Sequence, residues 1–487
     1  MLNFLERKKV ICCFPVLLSS LLLISNCSKS DKEQSDKTKS GSKKTNKKKK
    51  IDTVKLQKKK VTKQDAHKVV EYLLAKEYDK YADKFDERMK LALDAKKLES
   101  LWKKILIKSG QPNKINKIEK KDFGKYVLFQ VETLFEKQNS LIKITYNLQG
   151  QISGLYIAPL ADNDFKYTSP KYANPGKIAA KKMKLGLEDW KLDGILTCPA
   201  KGKDFPVVIL IHGSGPNDKD ETIGKNKPFR DLAEGLASRG ICIYRYEKRT
   251  KQYQNKYMKK LELIKRITIK DEIMDDALAI AAHFKNEDKI NPAKIYLLGH
   301  SLGAYIMPKL LKKSDSIAGA IMLAGSVRPL EELYLDQVTY LAKLDGKIDQ
   351  KEKARIKKVK KQVELVKNGK FDKNTSREDL PLGSFPDYFL YLKDYKPLKI
   401  ISEIEIPILI LQGGRDYQVT AKDEFVHWQK LAKTKKNITT QLFPALNHLF
   451  IAGKGKSNPE EYQKEGHISA KVITTIHEFI IPPSKDK

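Results

Sequence analysis

KIYLLGHSLGAYI, Lys294 to Ile306, runs from a hydrophobic strand pattern through Gly-His-Ser-Leu-Gly into a helical pattern. Two readings compete at Ser301. In one, Gly299 and Gly303 permit a sharp strand-to-helix turn and the serine between them is incidental. In the other, the turn is a nucleophile elbow. It lifts the Ser301 hydroxyl above the carboxyl ends of the strands, at a helix N-terminus that favours a developing negative charge. The five-residue pattern is short enough to recur by chance, so the choice rests on its surroundings.

From about Met183 onward, strand-like and helical patterns alternate. Strand-like runs cover Leu192–Cys198, Val207–His212, Ile241–Tyr246, Lys294–Leu298, Ile317–Leu323, Ile408–Gln412 and Ile438–Phe443. Helical patterns cover Phe229–Ser238, Asp271–Phe284, Leu302–Leu311, Ala421–Ala432 and Ala470–Ile480. VVILIH and ILILQG are apolar throughout, as strands buried on both faces of a parallel sheet are. The expected fold class is therefore α/β, a doubly wound and mostly parallel sheet over residues 183–487.

A serine hydroxyl is a poor nucleophile at neutral pH and needs a base. Behind a nucleophile elbow the chain order is serine, acid, histidine. PILILQGGRDYQV puts Asp416 in the loop after a buried strand, and FPALNHLF puts His448 just past the final strand. Of the eight histidines, His212 and His300 lie in other motifs, His67, His283 and His427 in helical patterns, and His467 and His477 at or in the last helix. Taken singly, Asp416 reads equally well as a turn residue and His448 as a surface-loop histidine. In this order, each after its own strand, they read with Ser301 as a catalytic triad. The backbone N–H of Leu302 points into the same space, as one half of an oxyanion hole. The turn HGSGPND, His212 to Asp218, offers the other half, with Ser214 as first choice for the N–H and Gly213 as its competitor.

HGSGPNDKDETIGKNKPFRDLAEGLASRGI, YRYEKRT, LGHSLGA and NHLF together resemble a family of secreted bacterial α/β-hydrolases. These are carboxylesterases related to the serine aminopeptidase-like and dienelactone hydrolase-like groups. The resemblance spans most of residues 61–480. It implies cleavage of short acyl esters without a cofactor or metal, and it maps the triad onto Ser301, Asp416 and His448. Glu247 stands where the family more often has Asp. Asp218, Asp220, Glu221 and Arg249 would lie near the rim of the site and order its loop by ion pairing. An insertion at about 327–400, helical and then aromatic-rich, would form a cap. Tyr334, Phe385, Tyr388 and Phe389 are its candidates for lining an acyl or alcohol pocket, or for packing.

Ahead of this body lies a smaller unit, residues 61–160. Thr62 with Asp65 reads as an N-cap pair, followed by helical patterns over Val69–Leu74, Tyr78–Leu93 and Lys96–Ile107. Leu98, Leu101, Trp102 and Ile105 fall on one face of the third. The period then changes to two: in YVLFQVETLFE, Val127, Phe129, Val131, Thr133 and Phe135 share one side. Two more strands follow around a turn at Asn147–Gly150, giving an α+β unit. QGQISGLYIAP resembles the last strand of a cystatin-like or NTF2-like domain found ahead of secreted hydrolases, which implies a binding or spacing module.

The N-terminus supplies an address. Arg7, Lys8 and Lys9 precede an apolar run, Val10–Ile24, too short for a membrane span of ~20 residues. LLLISNC resembles a bacterial lipobox. The implied product has Cys27 acylated at its sulfur and amine, which anchors residues 28–487 to a membrane of the cell envelope, in the periplasm or on the cell surface. Asn26 stands where Gly, Ala or Ser is usual, and an uncleaved signal anchor is the alternative. Residues 28–60 are Lys-rich and read as a disordered linker. The net charge of +35 invites a nucleic-acid partner. None is expected: the basic run lies outside any folded unit and lacks the Arg and aromatic residues that stack bases. Cys198 and Cys242, both in strand-like runs, are expected as buried free thiols.

The leading reading is thus a lipid-anchored serine carboxylesterase acting on a small ester. The alternatives are an aminopeptidase or amidase of the same fold, and a non-enzymatic envelope-binding lipoprotein that keeps the hydrolase fold.

Overall fold

A computed structural model describes residues 60–160 and 166–483, which form two compact units divided between those ranges. Cys27, the signal segment and nearly all of the Lys-rich tract lie outside the described residues. Among the described residues no helix is long and apolar enough to cross a membrane.

In the first unit the Thr62 and Asp65 side chains cap one another's backbone N–H groups and start the helix Lys63–Leu74. The expected helix over 78–93 is two short ones, Tyr78–Ala82 and Glu87–Ala92. Phe85 is drawn into the core between them and bridges to Ile152, and the Asp86 carboxylate restarts the helix by accepting the Met89 N–H. The helix Ala95–Ser109 buries Leu98 and Trp102, but Leu101 is 37% exposed and off the expected face. Four strands follow in simple antiparallel order: β1 (Pro112–Phe123), β2 (Tyr126–Phe135), β3 (Ser140–Tyr146) and β4 (Ile152–Pro159). Val127, Phe129, Val131, Thr133 and Phe135 are all buried, as their alternation requires. β1 was not expected. It is a Lys-rich edge strand with no buried residue, so it carries no alternating pattern.

The second unit is an eight-stranded sheet. Its strands are β5 (Ile178–Leu185), β6 (Leu192–Pro199), β7 (Phe205–Ile211), β8 (Cys242–Tyr246), β9 (Ile290–His300), β10 (Gly319–Leu323), β11 (Ile408–Gly413) and β12 (Ile438–Phe443). The order across it is β12-β11-β10-β9-β7-β8-β6-β5. From β12 to β8 all neighbours are parallel, whereas β6 and β5 run antiparallel at one edge. β5, another Lys-rich edge, starts ahead of Met183 and was not read from the sequence.

Every residue of β10 and β11 is buried because helices cover both faces. On one side Ile209, Leu297 and Ile410 meet Ile280, Tyr305 and Trp428. On the other, Val208, Leu210 and Leu411 meet Leu232, Leu236 and Ile473. Full burial of each such aliphatic side chain contributes about 1.5–3 kcal/mol, so this double-sided core is what holds the carboxyl edge of the sheet rigid.

Cys198 and Cys242 form a disulfide, which corrects the expectation of free thiols. β6 runs antiparallel to β8 with Thr197 opposite Ile243, so the next residues outward, Cys198 and Cys242, face each other with Cα atoms 4.2 Å apart. The insertion between β10 and β11 contains the helices Leu330–Ala342, Gln350–Lys367, Pro386–Leu392 and Pro397–Ile401.

Candidate active site

Ser301 occupies the turn between β9 and the helix that begins at Leu302, with φ 53° and ψ −112°. A non-glycine residue adopts that left-handed conformation only under constraint. The constraint is visible on either side. A Cβ at Gly299 would collide with the Gly303 backbone, and a Cβ at Gly303 with the Ile211 carbonyl. The Ser301 N–H is tied to the Leu323 carbonyl at the end of β10, 2.9 Å away.

Asp416 and His448 lie in the loops after β11 and β12. Gly413 and Gly414 let those loops touch, since a Cβ at either would press into the backbone of Pro444, Leu446 or Asn447. His448 Nδ1 lies 2.6 Å from Asp416 Oδ2, with both residues buried. Asp416 is itself oriented: Oδ1 accepts the N–H groups of Gln418 and Val419, and Oδ2 accepts the Gln412 side-chain amide. His448 and Ser301 line one cleft. Among the described residues no hydrogen bond joins His448 to Ser301; in catalytic pairs that bond commonly tightens only when substrate is bound.

The two candidates for the first oxyanion donor part company here. The Gly213 N–H donates to Glu221 Oε1 at 2.6 Å and is therefore committed. The N–H groups of Ser214 and Leu302 donate to no other protein group among the described residues, and both residues line the cleft.

Glu221, expected only at the rim, is a buried part of the site. Its Oε2 lies 2.9 Å from His300 Nδ1, and His300 Nε2 meets the His448 carbonyl oxygen at 3.0 Å. Burial raises the Glu221 carboxyl, but the charge and hydrogen bond of His300, with the Gly213 N–H, outweigh it and hold it below the usual carboxylate range. Burial likewise lowers His300, but Glu221, the His448 carbonyl and Asp416 outweigh that and raise it. At His212 burial prevails over the upward pull of Glu221 and Asp218 and drives it down to about 4, so its ring is neutral at pH 7.

Of the other three rim residues, Asp220 orders the loop by ion pairing as expected, Asp218 does so by hydrogen bonds, and Arg249 pairs outside the loop. Asp218 accepts the Thr222 N–H and hydroxyl, Asp220 pairs with Arg245 and Lys227, and Arg249 forks onto Asp276. Glu247, the departure from the family pattern, pairs with Lys219 and does not line the cleft.

The cleft has an empty volume of about 1230 Å³ out to its open mouth. The insertion supplies Leu330, Leu333, Tyr334, Leu382 and Tyr388 to its wall. Of the four aromatic candidates, Tyr334 and Tyr388 line it. Phe389 packs instead on Val366 and Leu380, and Phe385 lies against the Arg377 guanidinium. Sequence reading left out Lys248 and Glu272, which are buried 2.6 Å apart beside the loop after β7. Nothing local in the sequence marks a buried pair whose members are brought together by tertiary folding.

Comparison with known proteins adds an independent line. Residues 66–155 match a family described as a protein of unknown function (DUF3887), and residues 206–453 match the family described as serine aminopeptidase, S33. The chain is 32% identical over 418 residues to the esterase EstD of Thermotoga maritima, covering 86% of this chain and 95% of that protein. Among solved structures it is similar to Est1E from Butyrivibrio proteoclasticus, at 17% identity over 62% of this chain and 97% of that one, with a TM-score of 0.40. It is also similar to the Pyrococcus furiosus esterase PF2001, at 17% identity over 62% and 90%, with a TM-score of 0.39. The match to S33 covers half the chain, and the likeness to EstD runs through nearly all of that protein. On both grounds this protein belongs to the serine aminopeptidase S33 family of α/β-hydrolases and is a serine hydrolase homologous to the esterase EstD.

Proposed function

We propose that the protein is a carboxylesterase that works through an acyl-enzyme on Ser301, anchored to the cell envelope by lipid at Cys27. The observation that carries the reading is His448, bonded through Nδ1 to Asp416 at 2.6 Å, in the cleft that Ser301 and the unengaged N–H groups of Ser214 and Leu302 also line. With Nδ1 committed, His448 Nε2 is the base that takes the Ser301 proton as Oγ attacks the ester carbonyl. The carbonyl oxygen becomes an oxyanion held by the N–H groups of Ser214 and Leu302; one such donor is worth roughly 10²–10³ in rate. His448 then protonates the departing alcohol and activates the water that releases the acid. No step calls for a cofactor.

A small ester is favoured over a peptide amine by the cleft's charges. Its two carboxylates, Glu221 and Glu272, already face His300 and Lys248, so among the described residues neither is spare for an α-ammonium group. Leu330, Leu333 and Leu382 suit an acyl chain. The Cys198–Cys242 disulfide supports a location outside the cytoplasm, where such bonds persist. The DUF3887 unit is proposed as a binding or spacing module of cystatin-like or NTF2-like kind. No nucleic-acid role is proposed.

The test uses protein lacking residues 1–27, a fluorophosphonate probe and a panel of p-nitrophenyl esters. Labelling should map to Ser301 and vanish in Ser301→Ala together with hydrolysis. A wild type that neither labels nor turns over any ester overturns the reading. For the anchor, metabolic fatty-acid labelling should be lost in Cys27→Ala; a label that persists there overturns it.

A further inference from the structure

The Gly213 carbonyl and the Ser214 N–H belong to one planar trans peptide, so they point in opposite directions. Whatever grips the carbonyl therefore aims the N–H. Two donors grip it: Lys248 Nζ at 2.8 Å and Asn217 Nδ2 at 3.1 Å. The peptide before it is pinned as well, through the Gly213 N–H on Glu221.

Lys248 is an unusual choice of donor. It is 1% exposed, just past the end of β8, and a buried ammonium requires a counter-charge. Glu272 supplies it, with Oε1 2.6 Å from Nζ. Glu272 Oε2 in turn accepts the hydroxyl of Tyr388 at 3.0 Å, and Tyr388 belongs to the insertion between β10 and β11. An uncharged amide would serve to hold a loop. An ammonium does more, since its charge on the carbonyl oxygen draws electron density from the peptide and makes the N–H at the other end a stronger donor.

We propose that Lys248 is a positioning residue for the oxyanion hole, aiming and polarising the Ser214 N–H through the Gly213 carbonyl, and that Glu272 and Tyr388 tie this setting to the cap. The proposal rests on the reading of Ser301 as nucleophile and Ser214 as oxyanion donor. Its signature is a loss of transition-state binding at nearly constant substrate binding. A buried pair that only supported the fold would instead change stability and leave kcat of the folded protein alone.

The experiment compares wild type, Lys248→Met, the double variant Lys248→Met with Glu272→Gln, and Tyr388→Phe. The double variant removes both charges, so no lone buried carboxylate threatens folding. Readouts are kcat and KM on a p-nitrophenyl ester, the inhibition constant of a trifluoromethyl ketone that forms an oxyanion on serine, and thermal melting. Expected is a fall in kcat of roughly 10²-fold in the Lys248 variants, with KM little changed and ketone affinity falling in step with kcat/KM. Tyr388→Phe, which keeps both charges, should lower kcat by a smaller factor. A folded Lys248 variant with wild-type kcat, or a loss confined to KM, overturns the role of Lys248. An unchanged kcat in Tyr388→Phe overturns the tie to the cap. Failure of the esterase reading itself would look different: wild type would then be as inert as Ser301→Ala.

Discussion

His300, the residue immediately before Ser301, faces Glu221 across a buried 2.9 Å ion pair and holds the His448 carbonyl with its other ring nitrogen. One imidazole thus links the loop after β7 to the loop after β12, with the elbow between them. Removing one partner of a buried pair leaves the other charged and unpaired, which costs about 3 kcal/mol or more. Glu221→Gln should therefore destabilise the fold by that order in urea denaturation, and lower kcat as the two loops loosen.

The same pair sets a pH dependence. His300 is raised above its ordinary 6.5, so its contribution is complete below that value and is lost as pH rises through the raised value in the fold. Glu221 is lowered below its ordinary 4.5, so its contribution is present above that value and is lost as pH falls through the lowered value. Stability from the pair is thus fullest between the two ordinary values and should decline as pH rises from 6.5 through the raised His300 value. Glu221→Gln should flatten this dependence, and unfolding free energies measured across pH 5 to 9 in both proteins will check it.

Asp416→Asn keeps an acceptor for the Gln418 and Val419 N–H groups but lets the amide donate toward His448 Nδ1, which imposes the wrong tautomer. The expected result is a kcat lower by roughly 10³–10⁴-fold with near-normal melting. Steady-state kinetics beside a melting curve separate that outcome from simple unfolding.

The disulfide joins residues 44 apart in sequence and pins β8, the strand that leads to Lys248. A constraint of this kind usually contributes about 2–4 kcal/mol. Reduction, or Cys198→Ser with Cys242→Ser, should lower the urea midpoint accordingly, while ester hydrolysis at low denaturant should survive.

Gly303→Ala tests the elbow by steric means alone. Its new methyl group would enter the Ile211 carbonyl, so β7 and the helix after Ser301 must move apart. Overpacking of this sort costs about 1–3 kcal/mol. Activity should fall further than stability, because the shift also moves Ser301 relative to Ser214; fluorophosphonate labelling rates against melting temperatures will show the split.

The sequence was most legible where burial dictates pattern. β2 alternates because one face is core, and β10 and β11 are apolar throughout because both faces are. The positions of Ser301 and Asp416 could be read because each follows a strand that is buried and apolar at its end, whereas His448 follows the half-exposed edge strand β12 and could be read from its order after the other two. β1 and β5 escaped because their Lys-rich edge positions carry no such signal. The Cys198–Cys242 bond escaped because it depends on the register of strands that are not consecutive in sequence. Glu221, His300, Lys248 and Glu272 are polar residues buried against partners far along the chain, and no local period announces such pairings.

The insertion leaves the sheet after Leu323 and rejoins it at Ile408, on strands that are hydrogen-bonded neighbours with Ala320 opposite Ile408. Its length and content can therefore change over evolutionary time without altering the spacing of β10 and β11, and so without disturbing the turn at Ser301 or the loops of Asp416 and His448. Selectivity and reactivity become separately heritable. A lineage can acquire a new selectivity by rewriting one excursion of the chain, and contacts such as Tyr388 to Glu272 and Tyr395 to the Tyr305 carbonyl are where that excursion and the sheet beneath it must change together.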